Sequence, residues 1–399
     1  MALTVSHRCQ NIAPSVTLQI DARAKEMRAA GLDVIGFGVG EPDFPTPKHI
    51  CDAAKEALDL GMTRYTPAAG TKELRKAICK KLLRDNDMTY SYGDILVSSG
   101  AKHTLFTILQ GIIDPGDEVL IPTPCWVSYP EMVRMAGGRS VLVECPEENG
   151  FLPAIEDIEK VVTEKTKAFV LTNPSNPNGC IWDEERLRAL VQLAVDKQFY
   201  IIADEIYEKL VYGAAKHVAV ATLSPEAYTH TILIGGVSKS YAMTGLRIGF
   251  AAGPVEVIAG MVNYQSQSTS APNSAAQHAA AVAYTMDQSC VEEMRQQFEK
   301  RRNYIVERIN AIPGISCRMP DGAFYVMMNI RQLIGKKYGD QVIQNSNDLA
   351  LAMLENAHVA VVPGNAFLAE GFCRLSYATS MENIEKGMDR IESFVKELS

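Results

Sequence analysis

Lys167-Ala168-Phe169-Val170-Leu171-Thr172-Asn173-Pro174-Ser175-Asn176-Pro177-Asn178-Gly179 is the stretch that decides the fold. Its apolar first half fits a strand covered on both faces, and two Asn-Pro steps with a glycine then force a turn. The same grammar recurs on either side. Ile95–Ser98, Glu118–Pro122, Ser140–Glu144, Phe199–Ala203, Thr231–Ile234 and Ile248–Ala252 read as further short strands with helical patterns between them. Alternation of this kind predicts an α/β fold built on a mostly parallel, seven-stranded sheet between helices. Several of the runs end in glycine, proline or an acidic residue, at the carboxyl ends where open α/β sheets hold ligands.

Beyond Ser289 the period changes. Val291, Met294, Phe298, Ile305 and Ile309 recur at helical spacing among charged residues, which predicts a long amphipathic helix leading out of the sheet domain. Strands at Gly322–Met327 and Val359–Val362 and a helix at Met381–Leu398 follow. The expected division is an N-terminal arm and part of a small domain over 1–47, a large ligand-bearing domain over 48–289, and a small α+β domain over 290–399.

The 399 residues are 47% hydrophobic and 22% charged, enough for a large core and a second domain. A net charge of -8 without any block of Lys or Arg argues against nucleic-acid or anionic-membrane partners. Residues 1–20 lack the continuous apolar core of a signal peptide, and no apolar run reaches the ~18 residues of a membrane span. The nine cysteines form no CxxC pair and no metal-type spacing with histidine. Reduced, mostly buried thiols in a cytoplasmic protein, with no metal site, are expected.

Chemistry concentrates at the strand ends. Lys239 follows the apolar run Thr231–Ile234, where a buried ammonium is costly unless paired or neutralised. A desolvated lysine with a lowered pKa attacks an aldehyde, and the following Thr244-Gly245-Leu246-Arg247 with Ser238 supplies a fork and a hydroxyl suited to a phosphate dianion. Asp204 closes the run Ile201-Ile202-Ala203 and fits either a helix cap or the partner of a pyridinium cation, with Tyr207 within reach of that ring's phenolic oxygen. Asn176 is either a plain turn residue or an amide offered to the same oxygen. Ser99-Gly100-Ala101-Lys102 opens a helical stretch, Thr104–Ile112, whose free N–H groups suit an anion. Lys102 fits either a solvated helix face or an acidic substrate.

Trp126 is a core residue or a stacking platform for a flat heteroaromatic ring. Arg374, in the apolar run Phe372–Tyr377, demands a carboxylate. The loop Gly36–Phe44 lacks G-x-G-x-x-G spacing and is no dinucleotide site, although Gly40 admits a carboxylate to its backbone.

Gly40-Glu41-Pro42-Asp43-Phe44, Tyr65-Thr66-Pro67, Asn173-Pro174-Ser175-Asn176-Pro177-Asn178-Gly179, Asp204 with Tyr207, and Ser238-Lys239 followed by Met243-Thr244-Gly245-Leu246-Arg247-Ile248-Gly249 occur in one order. In this the chain resembles the class I, fold type I aminotransferases, which depend on pyridoxal 5′-phosphate, and especially the bacterial-type aspartate aminotransferases. The likeness runs from about Gly36 to Ala378.

The resemblance implies that Lys239 carries the cofactor as a Schiff base and moves the proton between Cα and C4′. It assigns Asp204 to the pyridine nitrogen and Asn176 and Tyr207 to O3′. Ser238, Arg247 and the backbone at Gly100 and Ala101 would hold the phosphate. Arg374 and Gly40 would take the substrate α-carboxylate and Lys102 the distal one, with Lys102, Trp126 and Asn176 set against both cofactor and substrate. Tyr65 matches a residue lent across a dimer interface, so a homodimer with shared sites is expected.

The implied reaction is ping-pong amino transfer between an amino acid, aspartate foremost, and a 2-oxo acid such as 2-oxoglutarate. Prephenate, aromatic or alanine-type substrates, a lyase on the same scaffold, and a non-catalytic binding protein are the alternatives. Gly236, Leu246 and Cys125 depart from residues frequent in the family.

Overall fold

The seven expected strands form one sheet in the computed structural model, which describes residues 4–10, 12 and 16–399. Part of the expected N-terminal arm, residues 1–3, 11 and 13–15, lies outside the described residues. The order across the sheet is Ile95–Ser98, Gly249–Ala252, Thr231–Gly236, Tyr200–Asp204, Thr166–Thr172, Glu118–Thr123 and Arg139–Glu144. Only Gly249–Ala252 runs antiparallel to its neighbours. The carboxyl ends of the other six therefore share one edge.

Period-two alternation divides the sheet's side chains between two faces. Leu120, Phe169, Ile201 and Leu233 pack on one side with Leu187 and Ala279. Val119, Val170, Ile202 and Ile234 pack on the other with Leu105 and Ile258. Helix Glu184–Lys197 starts where the Asp183 side chain accepts from Arg186 N, and Ser274–Thr285 where Asn273 accepts from Ala276 N. Helix Ala101–Ile112 differs: Gly100 precedes it at φ 89° and no side chain caps it. Its start was expected at Thr104, three residues later, because a glycine and a serine alone do not reveal where the first turn begins.

The long helix spans Ser289–Ala311, with Val291, Met294, Phe298, Ile305 and Ile309 all buried as the periodicity predicts. It joins a separate core that unites Ile20 and Phe37 with Val326, Leu375 and Ile391. The single strand expected at Val359–Val362 is two. Val359–Ala360 pairs in parallel with Ile35–Gly36, and Val362–Pro363 pairs antiparallel with Phe372–Ser376. The second strand's other edge takes Tyr325–Asn329, so Arg374 sits on the central strand of a three-stranded sheet. All nine cysteines are free, and all but Cys9 are at least partly buried. No helix among the described residues is long and apolar enough to cross a membrane.

Helix Ala101–Ile112 docks on Gly249 by direct backbone approach. A Cβ on Gly249 would lie well inside contact distance of Ala101 N and Gly100 C. Gly249→Ala is therefore expected to lower the thermal unfolding midpoint by several degrees, whereas Gly245→Ala, with open space around it, leaves the midpoint unchanged. Differential scanning calorimetry checks the pair.

Candidate active site

The parallel strands deliver their chemistry to the shared edge. Ser98 leads to Gly100, Thr123 to Trp126, Thr172 to Asn176, and Gly236 to Ser238 and Lys239, while Asp204 is itself a strand's last residue. Tyr207 follows three residues later, buried.

Lys239 Nζ donates to Gly40 O at 2.6 Å and lies 5.9 Å from the Tyr207 ring centroid and 5.8 Å from that of Phe324. Burial pushes its pKa down to about 8; Glu41 opposes the shift, and Arg247 and Arg374 add to it. An amine of this kind is a nucleophile near neutrality.

Asp204 is 5% exposed, and burial pushes its carboxyl up to about 6 against hydrogen bonds that favour the ionised form. Its Oδ1 accepts from Ile206 N at 3.4 Å, and its Oδ2 from the Tyr129 hydroxyl at 2.8 Å. Tyr129 also meets Thr172 Oγ1 at 2.7 Å. With its proton given to the carboxylate, Tyr129 must accept the Thr172 proton, so the three groups form a chain of one polarity. Sequence reasoning assigned Tyr129 no role. The available signal was its place three residues after Trp126, at the second position of the helix that begins at Ser128.

Arg374 is 3% exposed, and burial pushes its pKa down. It donates to Asn176 Oδ1 at 3.1 Å and to Gly38 O at 2.7 Å, and its planar group lies 4.4 Å from the Tyr325 ring centroid and 4.7 Å from that of Phe367. Its Nε has no partner, and among the described residues its hydrogen bonds go only to that amide and that carbonyl, not to a carboxylate. Leaving a buried guanidinium without its anion costs several kcal/mol, on the order of 3. The Asn176 amide spends its oxygen on Arg374 and keeps its N–H₂ free of protein acceptors among the described residues.

Tyr207 does not stand alone. Its hydroxyl shares a hydrogen bond of 2.8 Å with that of Tyr325, a residue sequence reasoning placed on a strand but not in the site. Gly40 matters for closeness, since a Cβ there would come within 2.6 Å of the Tyr325 oxygen.

The opposite end of the cleft is cationic. A Cβ on Gly100 would meet Arg247 Nη2 at 2.5 Å, so the glycine lets the guanidinium lie against the uncapped helix start at Ala101. Arg247 itself has φ 56° and donates to Thr244 O at 2.8 Å. Ser238, two residues past the strand Thr231–Gly236, is buried. The Lys102 ammonium lies 4.7 Å from the Trp126 ring centroid, with its pKa lowered by burial and by Arg247. Trp126 stands edge-on to Tyr129 at 5.4 Å.

Tyr65 is not brought into this cleft within one chain; it is 96% exposed. Gly236 has a steric account, because a Cβ there would press on Ile248 O, Gly249 Cα and Ile206 Cδ1 at 3.0 to 3.1 Å. Cys125 is buried with its N–H on Phe367 O at 3.1 Å, and Leu246 packs at the margin of the core. Glu205 is structural. Buried, it binds His217 Nε2 at 2.9 Å, while neighbouring Glu208 pairs with Lys81. This is the one grouping of possible metal ligands among the described residues, and Lys81 already supplies its cation.

Two titrations follow. Lys239 should react with an aldehyde and borohydride with a midpoint near pH 8, read by peptide mass mapping across pH. Asp204, with a folded pKa above its ordinary one, contributes stability below pH 4 that is lost as pH rises through about 6. Asp204→Asn should therefore stabilise the cofactor-free protein at pH 7.5 relative to wild type, and the gain should shrink towards pH 4, as thermal unfolding would show.

The family described as aminotransferase class I and II matches residues 32–391. Aspartate aminotransferase of Geobacillus stearothermophilus is 47% identical over 394 residues, 99% of each chain. Aspartate/prephenate aminotransferase of Nitrosomonas europaea is 43% identical over 396 residues, 98% of this chain and 100% of that one. The crystal structure of the aspartate aminotransferase from Rhizobium meliloti superposes with a TM-score of 0.96 at 40% identity, covering 100% of both chains. A match of this extent, on a fold whose strand ends carry the expected lysine, aspartate and arginines, makes this chain a member of the class I and II aminotransferases.

Proposed function

We propose that the chain is a pyridoxal 5′-phosphate-dependent aspartate transaminase, working between L-aspartate or glutamate and a 2-oxo acid. The observation that carries the reading is Arg374, a buried guanidinium with an unpartnered Nε and no carboxylate of its own, in the cleft that holds Lys239. A substrate α-carboxylate supplies the missing anion. Relatives named for aspartate, across nearly the whole chain, support the substrate class.

The residues fit the cofactor. Arg247, Ser238 and the N–H groups of Ala101 and its helix turn, admitted by Gly100, suit a phosphate dianion. Asp204, ionised with the help of Tyr129, suits a protonated ring nitrogen. Asn176 has donors left for a ring oxygen, and Tyr207 lies on the same wall. Trp126 offers a flat face. When bound, pyridoxal phosphate supplies an aldehyde and an electron-accepting ring.

The chain's own groups do the rest. Lys239 is the amine that would hold the cofactor's aldehyde and, once free, would carry the substrate's α-proton on Nζ. Its depressed pKa keeps it able to both take and return that proton near neutrality. Arg374 fixes the α-carboxylate and so aims the Cα–H bond at Nζ. Lys102 takes the distal carboxylate. One product leaves before the second substrate binds, giving ping-pong kinetics. The large domain, 48–289, holds the cofactor, and 290–399 with the arm 1–47 supplies Arg374 and Gly40. Full exposure of Tyr65 fits a role across the interface of a homodimer with shared sites. A cytoplasmic location accords with nine free thiols.

A second reading, with prephenate as an additional acceptor, is favoured by the name of the Nitrosomonas relative. A panel of amino donors and 2-oxo acceptors, read by cofactor absorbance in half-reactions, separates these. Lys102→Ala should lower kcat/KM for aspartate by about tenfold to a hundredfold while sparing an aromatic amino acid, as expected for loss of one charge-assisted contact. Equal effects on both substrates would remove Lys102 from the distal site.

A further inference from the structure

Between Phe37 and Pro47 the chain forms neither helix nor strand, yet it touches the groups that handle the substrate. Gly38 O accepts from Arg374, Gly40 O accepts from Lys239, and Gly40 leaves room for the Tyr325 hydroxyl. Upstream the segment is tied down by backbone: Phe37 N donates to Ala360 O and Ser376 N to Phe37 O, both at 2.8 Å. Downstream no ladder holds it. An irregular segment of this kind is only as rigid as its side-chain anchors.

Besides a thiol contact from Cys51 to Thr46 O at 3.4 Å, three anchors are present. Thr244 donates to Glu41 at 2.7 Å, but in an exposed setting. Thr46 donates to Ala242 O at 2.6 Å, a single neutral bond. The third is ionic and doubled: Arg301 donates to Asp43 Oδ1 at 2.7 Å and to Oδ2 at 3.0 Å. Arg301 projects from the long helix Ser289–Ala311 and is 8% exposed. Phe44 and Phe298 lie 4.8 and 5.6 Å from its guanidinium and meet each other edge-on at 5.3 Å. A planar fork, shielded by two rings and matched by both oxygens of one carboxylate, has a narrow range of geometries.

We infer that the Asp43–Arg301 pair is a positioning device for substrate binding, which fixes the strap Gly38–Phe44 so that its carbonyls hold Arg374 and Lys239 where a substrate finds them. The inference rests on the transaminase reading and names residues that act through the strap. Neither side chain contacts Lys239, Arg374 or Asp204, so removing the pair disturbs substrate binding more than proton transfer.

The test uses holoenzyme carrying Asp43→Asn, Arg301→Lys, Arg301→Met and the double variant Asp43→Asn/Arg301→Met. For the Asn and Met variants, KM for both amino donor and oxo acceptor, and the Kd of maleate read by cofactor absorbance, are expected to rise together by about tenfold, with kcat reduced less than about threefold. The double variant should be no worse than the poorer single one, because the pair acts as a unit. Arg301→Lys, retaining charge but not the fork, should fall between.

Unchanged KM and Kd in variants that merely melt earlier would overturn the proposal, as would a loss confined to kcat or losses that multiply in the double variant. If Arg301→Met does not fold, Asp43→Asn and Arg301→Lys, which keep the packing, decide by the same two constants. Wild-type protein that turned over no amino acid but bound maleate would sink the transaminase reading and leave the maleate comparison standing.

Discussion

An excess of positive charge around one buried amine is the constraint on which the structure depends. Arg247 and Arg374 both act on Lys239, and Asp204 and Glu41 oppose them. Each cation lowers the proton affinity of Lys239, and burial lowers it further, so the same crowding that makes the cleft unstable alone makes its amine reactive. On the function proposed above, anions relieve the excess, a phosphate at one end and a carboxylate at the other. The protein thus stores, as uncompensated charge, the affinity that it later uses to orient its ligands.

Glycine makes that crowding possible by admitting backbone and guanidinium to distances no side chain tolerates. Gly249 brings the start of helix Ala101–Ile112 onto the sheet, Gly100 brings Arg247 onto that start, and Gly40 brings the strap onto Tyr325. The three lie on different elements of the chain, and each removes one layer of atoms between a donor and the cleft. Close packing of this order is specified by tertiary partners: the sequence offers Gly100 as permissive and Arg247 as a phosphate fork, but not the contact of one against the other.

What the sequence made legible follows from what is local. Seven strands could be placed within one or two residues because each is a short apolar run closed by a turn residue, and Lys239, Asp204 and Arg374 stood out as charges in apolar surroundings. Tyr129 and Tyr325 were missed because a buried tyrosine looks the same whether its hydroxyl binds Asp204 or merely fills space. The division of 359–363 between two sheets was equally hidden: Val359, Ala360, Val361 and Val362 are all buried, so no polar residue marks the point at which the chain changes partners. Tyr65 was readable only through family resemblance, since a single chain leaves it in solvent.

The change of partners at Val361 has a consequence for the site. Val359–Ala360 holds Ile35–Gly36, the root of the strap, while Val362–Pro363 holds the strand of Arg374 two residues later. The strap and the arginine are therefore fixed to one short stretch of backbone, and Ser376 N, on the arginine's own strand, returns to Phe37 O. Gly38 O lies one residue beyond Phe37, where it accepts from Arg374, and the Asp43–Arg301 pair ties the strap from its other end. The strap and Arg374 thus share one backbone root, whereas Lys239, Asp204 and Arg247 are held by the strands and turns of the large sheet.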